Sequence, residues 1–165
     1  MNPLISPMLP SDWNDVQAIY LEGIETGQAT FETAVPNWQT FDASKRLDCR
    51  LAAKIGEQLV GWAVLSPVSK RPVYAGVAEV SVYVAAAARG QGIGKMLLQA
   101  LVSASEEAGI WTLTASIFPE NEVSIAIHKN CGFRVLGRRE RIAQHHGVWR
   151  DTILMERRSL VVGVG

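Results

Sequence analysis

A glycine-rich segment near the middle of the chain has the residue types that bind a phosphate group. A valine-rich stretch over residues 77–84, which we predict as a strand, is followed by Arg89-Gly90-Gln91-Gly92-Ile93-Gly94-Lys95, where a long helical pattern begins. The first N–H groups of a helix have no partner within the helix, and glycines let a ligand approach them closely. We therefore predict a pyrophosphate site at residues 89–95, with Arg89 and Lys95 adding positive charge. A turn that serves only strand–helix packing is the alternative.

The spacing of these glycines excludes two common nucleotide-binding motifs. In the Walker motif the lysine is followed by Ser or Thr, but Lys95 is followed by Met96. The Rossmann fingerprint has a different glycine spacing and follows the first strand of its fold. Here the glycines occupy positions 90, 92 and 94, halfway along the chain. The segment thus predicts a diphosphate ligand without saying which molecule carries it.

The predicted strand also carries a carboxylate, that of Glu79. Strand alternation places Glu79, Ser81 and Tyr83 on one face, and the opposite face carries Val80, Val82 and Val84. A charged group among valines is costly unless it is paired, solvated or functional. One interpretation is an ion pair with an arginine. The other is a general base with a raised pKa, which takes a proton from an amine directly or through water.

The elements that must position these groups follow a mixed α/β order. Hydrophobic periodicity predicts strands over residues 5–8, 51–55, 59–65, 77–84, 111–117, 133–142 and 148–156. It predicts helices around residues 16–24 and over 41–49, 92–108 and 121–131. The strand–helix–strand unit in the middle is expected to be parallel.

The composition indicates one neutral domain. A chain of 165 residues with 48% hydrophobic content can build one core, and we expect a single domain over residues 1–165. Lys plus Arg number 16 and Asp plus Glu number 16, which argues against a nucleic-acid partner. The distant Cys49 and Cys131 predict free thiols. Without a leader-like N-terminus or a membrane-length apolar run, we expect a cytoplasmic protein with no membrane partner.

The segment from Arg89 to Gly94 resembles the Arg/Gln-x-x-Gly-x-Gly/Ala signature of the GNAT family of acetyl-CoA-dependent N-acetyltransferases. Other segments resemble its phosphinothricin/methionine-sulfoximine acetyltransferase branch, in register along nearly the whole chain: Ala29-Thr30-Phe31-Glu32, residues 78–84, Asn121 with Ser124 and His128, Gly132-Phe133, and Gly147 with Trp149 and Asp151. The resemblance implies a single-domain GNAT fold, with a central mixed, twisted sheet of six or seven strands flanked by about four helices. It implies acetyl-CoA as cofactor.

The resemblance also implies which residues hold the coenzyme. The strand segment Val82-Tyr83-Val84 would separate from its neighbour and hydrogen-bond the pantetheine arm as another strand does. The backbone of residues 90–95 would hold the pyrophosphate. Asn121 matches a coenzyme-contacting asparagine and also suits a helix N-cap. On a helix that starts there, Asn121, Ser124 and His128 share one face toward the coenzyme.

His128 takes the position where the wider family has a tyrosine that protonates the departing thiolate. The resemblance therefore implies His128 as the acid and Glu79 as the base, with a structural histidine as the alternative. Cys131 lies near the C-terminal end of the predicted helix, where a thiolate gains no stabilisation. We expect direct acetyl transfer in a ternary complex.

The acceptor site implied by the resemblance is a pocket for a small amino acid of the phosphinothricin, methionine sulfone or sulfoximine, or arsinothricin type. The matching positions are Phe31, Glu32, Arg71, Tyr74, Glu79, Val80 and Ser81. Arg71 could equally be a surface charge and Phe31 a core residue. The chain also departs from the branch at Ser69, His145-His146 and Val148, which removes positive charge and an aromatic wall and leaves the amine substrate open.

Two other functions use the same coenzyme site. A protein or peptide Nα-acetyltransferase predicts an open groove, and a module that binds acyl-CoA without catalysis predicts no role for Glu79. Because members of the family usually form dimers, the resemblance implies a homodimer. The adjacent His145 and His146 lack a third ligand in the sequence, so we expect no metal site.

Overall fold

The computed structural model describes residues 2–165, and seven strands form one sheet in that range. The strands are β1 (Leu4–Pro7), β2 (Leu51–Ile55), β3 (Gln58–Pro67), β4 (Val77–Val84), β5 (Thr112–Ile117), β6 (Arg134–His145) and β7 (Val148–Arg158). The α-helices are α1 (Trp13–Glu25), α2 (Trp38–Ser44), α3 (Ile93–Glu107) and α4 (Glu122–Asn130). This confirms the predicted element order and the mixed α/β class. None of the described helices is long and apolar enough to cross a membrane.

The strands lie in the order β1-β2-β3-β4-β5-β7-β6. Every neighbouring pair is antiparallel except β4 and β5, which are parallel and are connected through α3. The predicted parallel strand–helix–strand unit is therefore confirmed, and it lies at the centre of the sheet.

The two faces of the sheet carry separate hydrophobic cores. On one face, residues of α3 such as Leu97 and Leu101 pack with Val80 of β4, and Val82 and Val84 pack against this core. On the other face, α1 and α2 pack with Tyr83 at the edge of their core. The alternation predicted for β4 is thus confirmed. Glu79 and Ser81 share the face of Tyr83, which is the face covered by α1 and α2.

The predicted bounds of α2 were wrong, whereas those of the strands and of the other helices agree with the structure to within three residues. Residues 41–49 were predicted, but the helix covers Trp38–Ser44. The side chain of Asn37 accepts a hydrogen bond from a first-turn N–H and starts the helix early. At the other end Lys45 is extended, with φ −107° and ψ 148°. The Arg50 guanidinium donates to backbone carbonyls there, those of Asp42, Lys45 and Arg46, and so replaces further helical hydrogen bonds.

Candidate active site

A cleft opens where β4 and β5 separate. The two strands pair only at residues 77–79 and 112–114. Beyond Glu79 the backbone groups of β4 that face β5 therefore have no strand partner. A cleft of about 1160 Å³ lies at this separation, and it is lined by β4, the loop after α1, the turn before α3, the end of β5, α4 and β6. An extended ligand could pair with the free edge of β4, as the resemblance implied.

The glycine turn lies at one side of this cleft. Gly90 and Gly92 have φ of 77° and 79°, a region that favours glycine. Gly92 is the N-cap of α3, and no side chain caps this helix end. A Cβ built at either glycine would meet no atom within 4 Å, so the space in front of the turn is open. Uncapped N–H groups beside open space fit a diphosphate group.

The structure brings most of the predicted coenzyme residues to the cleft. Its lining includes Val82, Tyr83, Val84, Arg89, Gly90, Gly92, Ile93 and Gly94. Gln91 and Lys95 are exposed and do not line it. The roles of these two residues therefore rest on the resemblance alone.

The start of α4 forms the facing wall. Asn121, Ser124 and His128 all line the cleft, in agreement with the shared helix face that the spacing predicted. The side chain of Asn121 accepts a hydrogen bond from the Ser124 N–H at 3.2 Å, which confirms its N-cap role. Its Nδ2 donates to the carbonyl of Gln28 at 3.3 Å. Asn121 thereby ties α4 to the loop after α1.

His128 is buried, with 7% of its surface exposed, and packs edge-on against Phe133. Its Nδ1 lies 2.7 Å from the carbonyl oxygen of Ser124. A carbonyl only accepts hydrogen bonds, so Nδ1 carries a proton in this arrangement. Burial lowers the pKa of His128, and the Ser124 hydrogen bond opposes this only partly. The neutral form with an unprotonated Nε2 is therefore favoured, and the acid role of His128 stays a prediction.

Glu79 lies half-buried in the cleft without an ion-pair partner. Within residues 2–165 no Lys, Arg or His nitrogen lies within 4 Å of its carboxylate. The ion pair between Glu79 and an arginine, one of the two interpretations above, is therefore not observed among the described residues. Burial raises the pKa of Glu79, while the charges of Lys45 and Arg139 oppose the rise. A solvent-accessible carboxylate with a raised pKa is suited to accept a proton near neutral pH.

Lys45 is a neighbour of Glu79 that sequence reasoning missed. Its Nζ donates to Ser66 Oγ at 3.2 Å, and Ser66 is paired with Glu79 across β3 and β4. Burial lowers the pKa of Lys45, while the charges of Glu79 and Glu32 oppose that shift. The predicted helix over residues 41–49 placed Lys45 inside a helix. Because α2 ends at Ser44, Lys45 instead lies beside the sheet.

The loop of residues 26–31 forms one wall of the cleft, and Arg150 holds it in place. Arg150 Nη1 donates to the carbonyl of Gly27 at 2.6 Å, and Nη2 donates to Gln28 Oε1 at 2.8 Å. The guanidinium also lies 3.7 Å from the centroid of the Phe118 ring. Sequence reasoning missed Arg150 because Gly27 and Gln28, the loop residues that it holds, lie more than 100 residues away in the chain.

Besides Glu79, three predicted acceptor residues line the cleft, namely Phe31, Val80 and Ser81. Phe31 packs edge-on against Phe118, with ring centroids 4.9 Å apart. Glu32 is exposed and does not line the cleft, although its charge contributes to the raised pKa of Tyr20, about 12, after burial.

Arg71 and Tyr74 are not brought to the cleft. Both are exposed, and the Arg71 guanidinium lies 5.6 Å from the centroid of the Tyr74 ring. Arg71 precedes the short 3-10 helix Pro72–Tyr74 in the loop before β4, and Tyr74 is its last residue. The geometry therefore does not support their predicted contact with the acceptor.

His145 and His146 line a separate cavity of about 370 Å³ together with Arg150 and Val148. His145 stacks on Phe118, with centroids 5.9 Å apart, and so supplies an aromatic ring behind the loop of residues 26–31. In the part of the chain that the structure describes, no three His, Cys, Asp or Glu side chains are placed to hold a metal ion.

Comparison with known proteins gives one consistent result. Residues 13–133 match the Acetyltransferase (GNAT) family. Phosphinothricin N-acetyltransferase from Alcaligenes faecalis is 35% identical over 149 residues, which cover 86% of this chain and 75% of that protein. L-methionine sulfoximine/L-methionine sulfone acetyltransferase from Pseudomonas paraeruginosa is 31% identical over 152 residues, with 88% of each chain covered.

A solved structure agrees with these relatives. The GNAT superfamily phosphinothricin acetyltransferase from Sinorhizobium meliloti, in complex with acetyl-CoA, superposes with a TM-score of 0.89. It is 28% identical, and the match covers 100% of this chain and 92% of that one. The family match, the fold and the open glycine turn lead to the same conclusion: this chain belongs to the GNAT family and is an N-acetyltransferase that uses acetyl-CoA as acetyl donor.

Proposed function

We propose that this protein acetylates the amine of a small amino acid of the phosphinothricin, methionine sulfone or methionine sulfoximine type. The observation that carries the proposal is Glu79, an unpaired carboxylate with a raised pKa in the same cleft as the glycine turn. The names of the relatives supply the substrate class, since they act on phosphinothricin or on methionine sulfoximine and sulfone.

Glu79 accepts the proton that the acceptor amine loses. An amine attacks a thioester only in its neutral form, and a free α-amino group has a pKa of roughly 7.7–8.0. A carboxylate whose pKa is raised toward neutrality retains more basicity than an ordinary glutamate, and it can act directly or through one water. Proton transfer of this kind typically contributes on the order of 10² to 10⁴ to a rate.

The backbone of the cleft binds the donor. Acetyl-CoA supplies an acetyl group that is activated as a thioester when it is bound. The uncapped N–H groups at the start of α3 would hold its diphosphate, with Arg89 as a charged neighbour. The free edge at Val82, Tyr83 and Val84 would hydrogen-bond the pantetheine arm.

Direct transfer in a ternary complex is favoured because no thiol is placed to accept the acetyl group. Neither Cys49 nor Cys131 lines the cleft. Burial raises the pKa of both thiols, that of Cys49 to about 11. Intersecting initial-rate patterns, with no acetyl adduct in the mass of the protein incubated with acetyl-CoA alone, are the expected result. Parallel lines with an adduct would contradict it.

A small acceptor is favoured over a protein N-terminus by the wall of residues 26–31. Arg150 ties this loop to β7, and Asn121 ties it to α4, so it covers the cleft beside Phe31. A peptide chain would need this side open. The alternative of a module that only binds acyl-CoA is disfavoured by the cost of keeping an unpaired carboxylate half-buried at Glu79.

The decisive experiment is an acetyl-transfer screen with purified protein. Acetyl-CoA consumption is measured with L-methionine sulfone, L-methionine sulfoximine, phosphinothricin and peptides with free N-termini. Turnover of one or more of the three amino acids, with peptides much slower, is expected. Preference for peptides would favour the protein Nα-acetyltransferase, and no turnover with any amine would favour the binding module.

A homodimer is also proposed, from the resemblance alone. Light scattering of the purified protein at micromolar concentration gives its mass in solution. A mass near twice 18.0 kDa is expected, and a mass near 18.0 kDa would contradict it.

A further inference from the structure

Two arginines, Arg89 and Arg139, line the cleft, and they belong to opposite faces of the sheet. Arg89 precedes α3, whose residues pack on the Val80 face of β4. Arg139 lies on β6, where it is paired with Thr152 of β7. The neighbours of Thr152 along β7, such as Ile153 and Met155, pack with the α3 core or are part of it.

Arg139 therefore lies on the same face as Glu79. Its Nη2 donates to Ser116 Oγ at 2.6 Å, and Ser116 is two residues along β5 from Thr114, the register partner of Glu79. Residues two apart on a strand share a face. The guanidinium is thus placed beside the segment of β4 that follows Glu79, in the part of the cleft left open by the separation of the strands.

The hydrogen bonds of Arg139 are made to neutral groups and leave donors free. Nε donates to Thr152 Oγ1 at 3.3 Å, and Nη2 donates to Ser116 Oγ. A guanidinium has five N–H donors, so both N–H groups of Nη1 and one of Nη2 remain. Across residues 2–165 no carboxylate lies within 4 Å of Arg139. A cation held by two hydroxyl groups in a ligand cleft, without a counter-ion, is suited to bind an anion.

A bulge in β6 begins at Arg139. The five residues from Arg139 to Ala143 of β6 lie opposite only three residues of β7, from Thr152 to Arg150. Arg141 has φ 45°, and Asp151 stabilises this turn by accepting a hydrogen bond from the Arg141 N–H at 2.7 Å. Bulges redirect side chains and are frequent beside active sites. The bulge therefore ends regular pairing at the point where Arg139 meets the cleft.

From these observations we infer that Arg139 binds the α-carboxylate of the acceptor amino acid while its amine faces Glu79. The inference rests on the proposed function and extends it, since it makes Arg139 the residue that selects acceptors with a carboxylate next to the amine. The amine and carboxylate of an α-amino acid are joined through one carbon. A cation and a base on the same face of one cleft can therefore contact both. Arg71, the position implied by the resemblance, lies outside the cleft.

The test compares two acceptors that differ only in the carboxylate: L-methionine sulfone and 3-(methylsulfonyl)propylamine, its decarboxylated analogue. The measured quantity is the kcat/KM for L-methionine sulfone divided by the kcat/KM for the analogue, in wild type, Arg139→Gln and Arg139→Lys. Dividing the mutant ratio by the wild-type ratio cancels the intrinsic reactivity of each amine. Arg134→Gln is the matched control, because Arg134 is an exposed arginine of the same strand that does not line the cleft.

Arg139→Gln should lower the ratio by on the order of 10- to 100-fold, the usual effect of losing a charged hydrogen-bond partner. Arg139→Lys should restore part of it, since lysine retains the charge but not the planar donor geometry. Arg134→Gln should leave it unchanged. The inference would be overturned if Arg139→Gln left the ratio of the two kcat/KM values unchanged, or if Arg71→Gln lowered that ratio instead.

A binding measurement separates this inference from the proposed function. Calorimetry follows L-methionine sulfone binding to the wild-type and Arg139→Gln proteins in the presence of CoA, with no chemistry needed. Weaker binding to Arg139→Gln supports the inference even if no acetyl transfer occurs, in which case only the proposed function fails. Equal binding to both proteins, or no binding to the wild type, would refute it.

Discussion

The two sides of the cleft are built in opposite ways. The proposed coenzyme side consists of one nearly continuous stretch, residues 82–94, and the start of α4, and it presents mainly backbone groups. The proposed acceptor side collects side chains from distant parts of the chain, namely Glu79, Arg139 and the loop held by Arg150, and the charge of Lys45 acts on Glu79. A diphosphate and an amide-rich arm can be bound by N–H and C=O groups that every residue has. A particular amino acid must be recognised by side chains.

This difference predicts that the two sides can be damaged separately. Changes of side chain on the acceptor side should alter turnover and acceptor selection while coenzyme binding persists. Changes of backbone conformation at the glycine turn should weaken coenzyme binding. Both measurements can be made on the same variants, by steady-state kinetics and by calorimetry with acetyl-CoA.

The largest effect is expected for Glu79→Gln. Glutamine retains the size of the side chain but accepts no proton, so kcat should fall by on the order of 10² to 10⁴. The affinity for acetyl-CoA, measured by calorimetry, should change less than about threefold. Glu57→Gln is the control, since Glu57 is exposed in the turn between β2 and β3. If Glu79→Gln lost coenzyme binding as well, the two sides would not be separable.

A smaller but still large effect is expected for Gly92→Val. The side chain would enter the open space in front of the turn, and the φ of 79° is strained for valine. The Kd for acetyl-CoA, measured by calorimetry, should rise more than about tenfold, since hydrogen bonds to a charged group are worth about 1.5–3 kcal/mol each.

Gly109→Val separates the steric effect at the turn from general strain. Gly109 follows the C-terminal end of α3, has φ 80° and also has open space at its Cβ position. Both variants should lose comparable thermal stability, but only Gly92→Val should lose coenzyme affinity. Equal Kd values for the two variants would remove the glycine turn from the coenzyme site.

Arg150→Gln should have an intermediate effect on the acceptor side alone. It removes the hydrogen bonds that hold the loop of residues 26–31, and displacement of a positioning loop lowers kcat/KM for the acceptor by on the order of tenfold. The change should appear mainly in acceptor KM, with coenzyme Kd unchanged. Arg157→Gln, on the same strand and outside the cleft lining, is the control. Equal kinetic losses in both variants would point to general destabilisation of β7.

Sequence reasoning identified most residues of the proposed coenzyme side and only part of the proposed acceptor side, for a physical reason. Glycines at 90, 92 and 94, after a valine strand and before a helix, determine a local backbone shape, so the site can be inferred from neighbouring residues. The position of Lys45 beside Glu79 depends on where α2 ends, and Arg50 stabilises this end by donating to backbone carbonyls. The position of Arg139 in the cleft depends on a bulge of β6 that Asp151 stabilises by accepting a hydrogen bond from the Arg141 N–H. Neither contact leaves a periodic pattern in the sequence.

The smallest expected effect is a shift in pH dependence, and it tests whether Lys45 belongs to the acceptor side. Glu79 must be deprotonated to act as a base, so kcat/KM falls as the pH drops through its pKa. The positive charge of Lys45 lowers that pKa, against the rise caused by burial. In Lys45→Met the pKa of Glu79 should therefore increase, and the acidic limb of the kcat/KM profile should move to higher pH. The plateau at higher pH should change little.

Lys45→Arg is the matched control for this shift, because it preserves the charge and can still donate to Ser66. Its acidic limb should stay near that of the wild type. A second acceptor with a different amine pKa identifies the limb, since a limb caused by the amine would move with the acceptor and one caused by Glu79 would not. If the Lys45→Met profile were superimposable on the wild type, Lys45 would only be a packing residue. The electrostatic control of Glu79 would then fall to Arg139, whose charge would hold both the base and the acceptor carboxylate in their ionised forms.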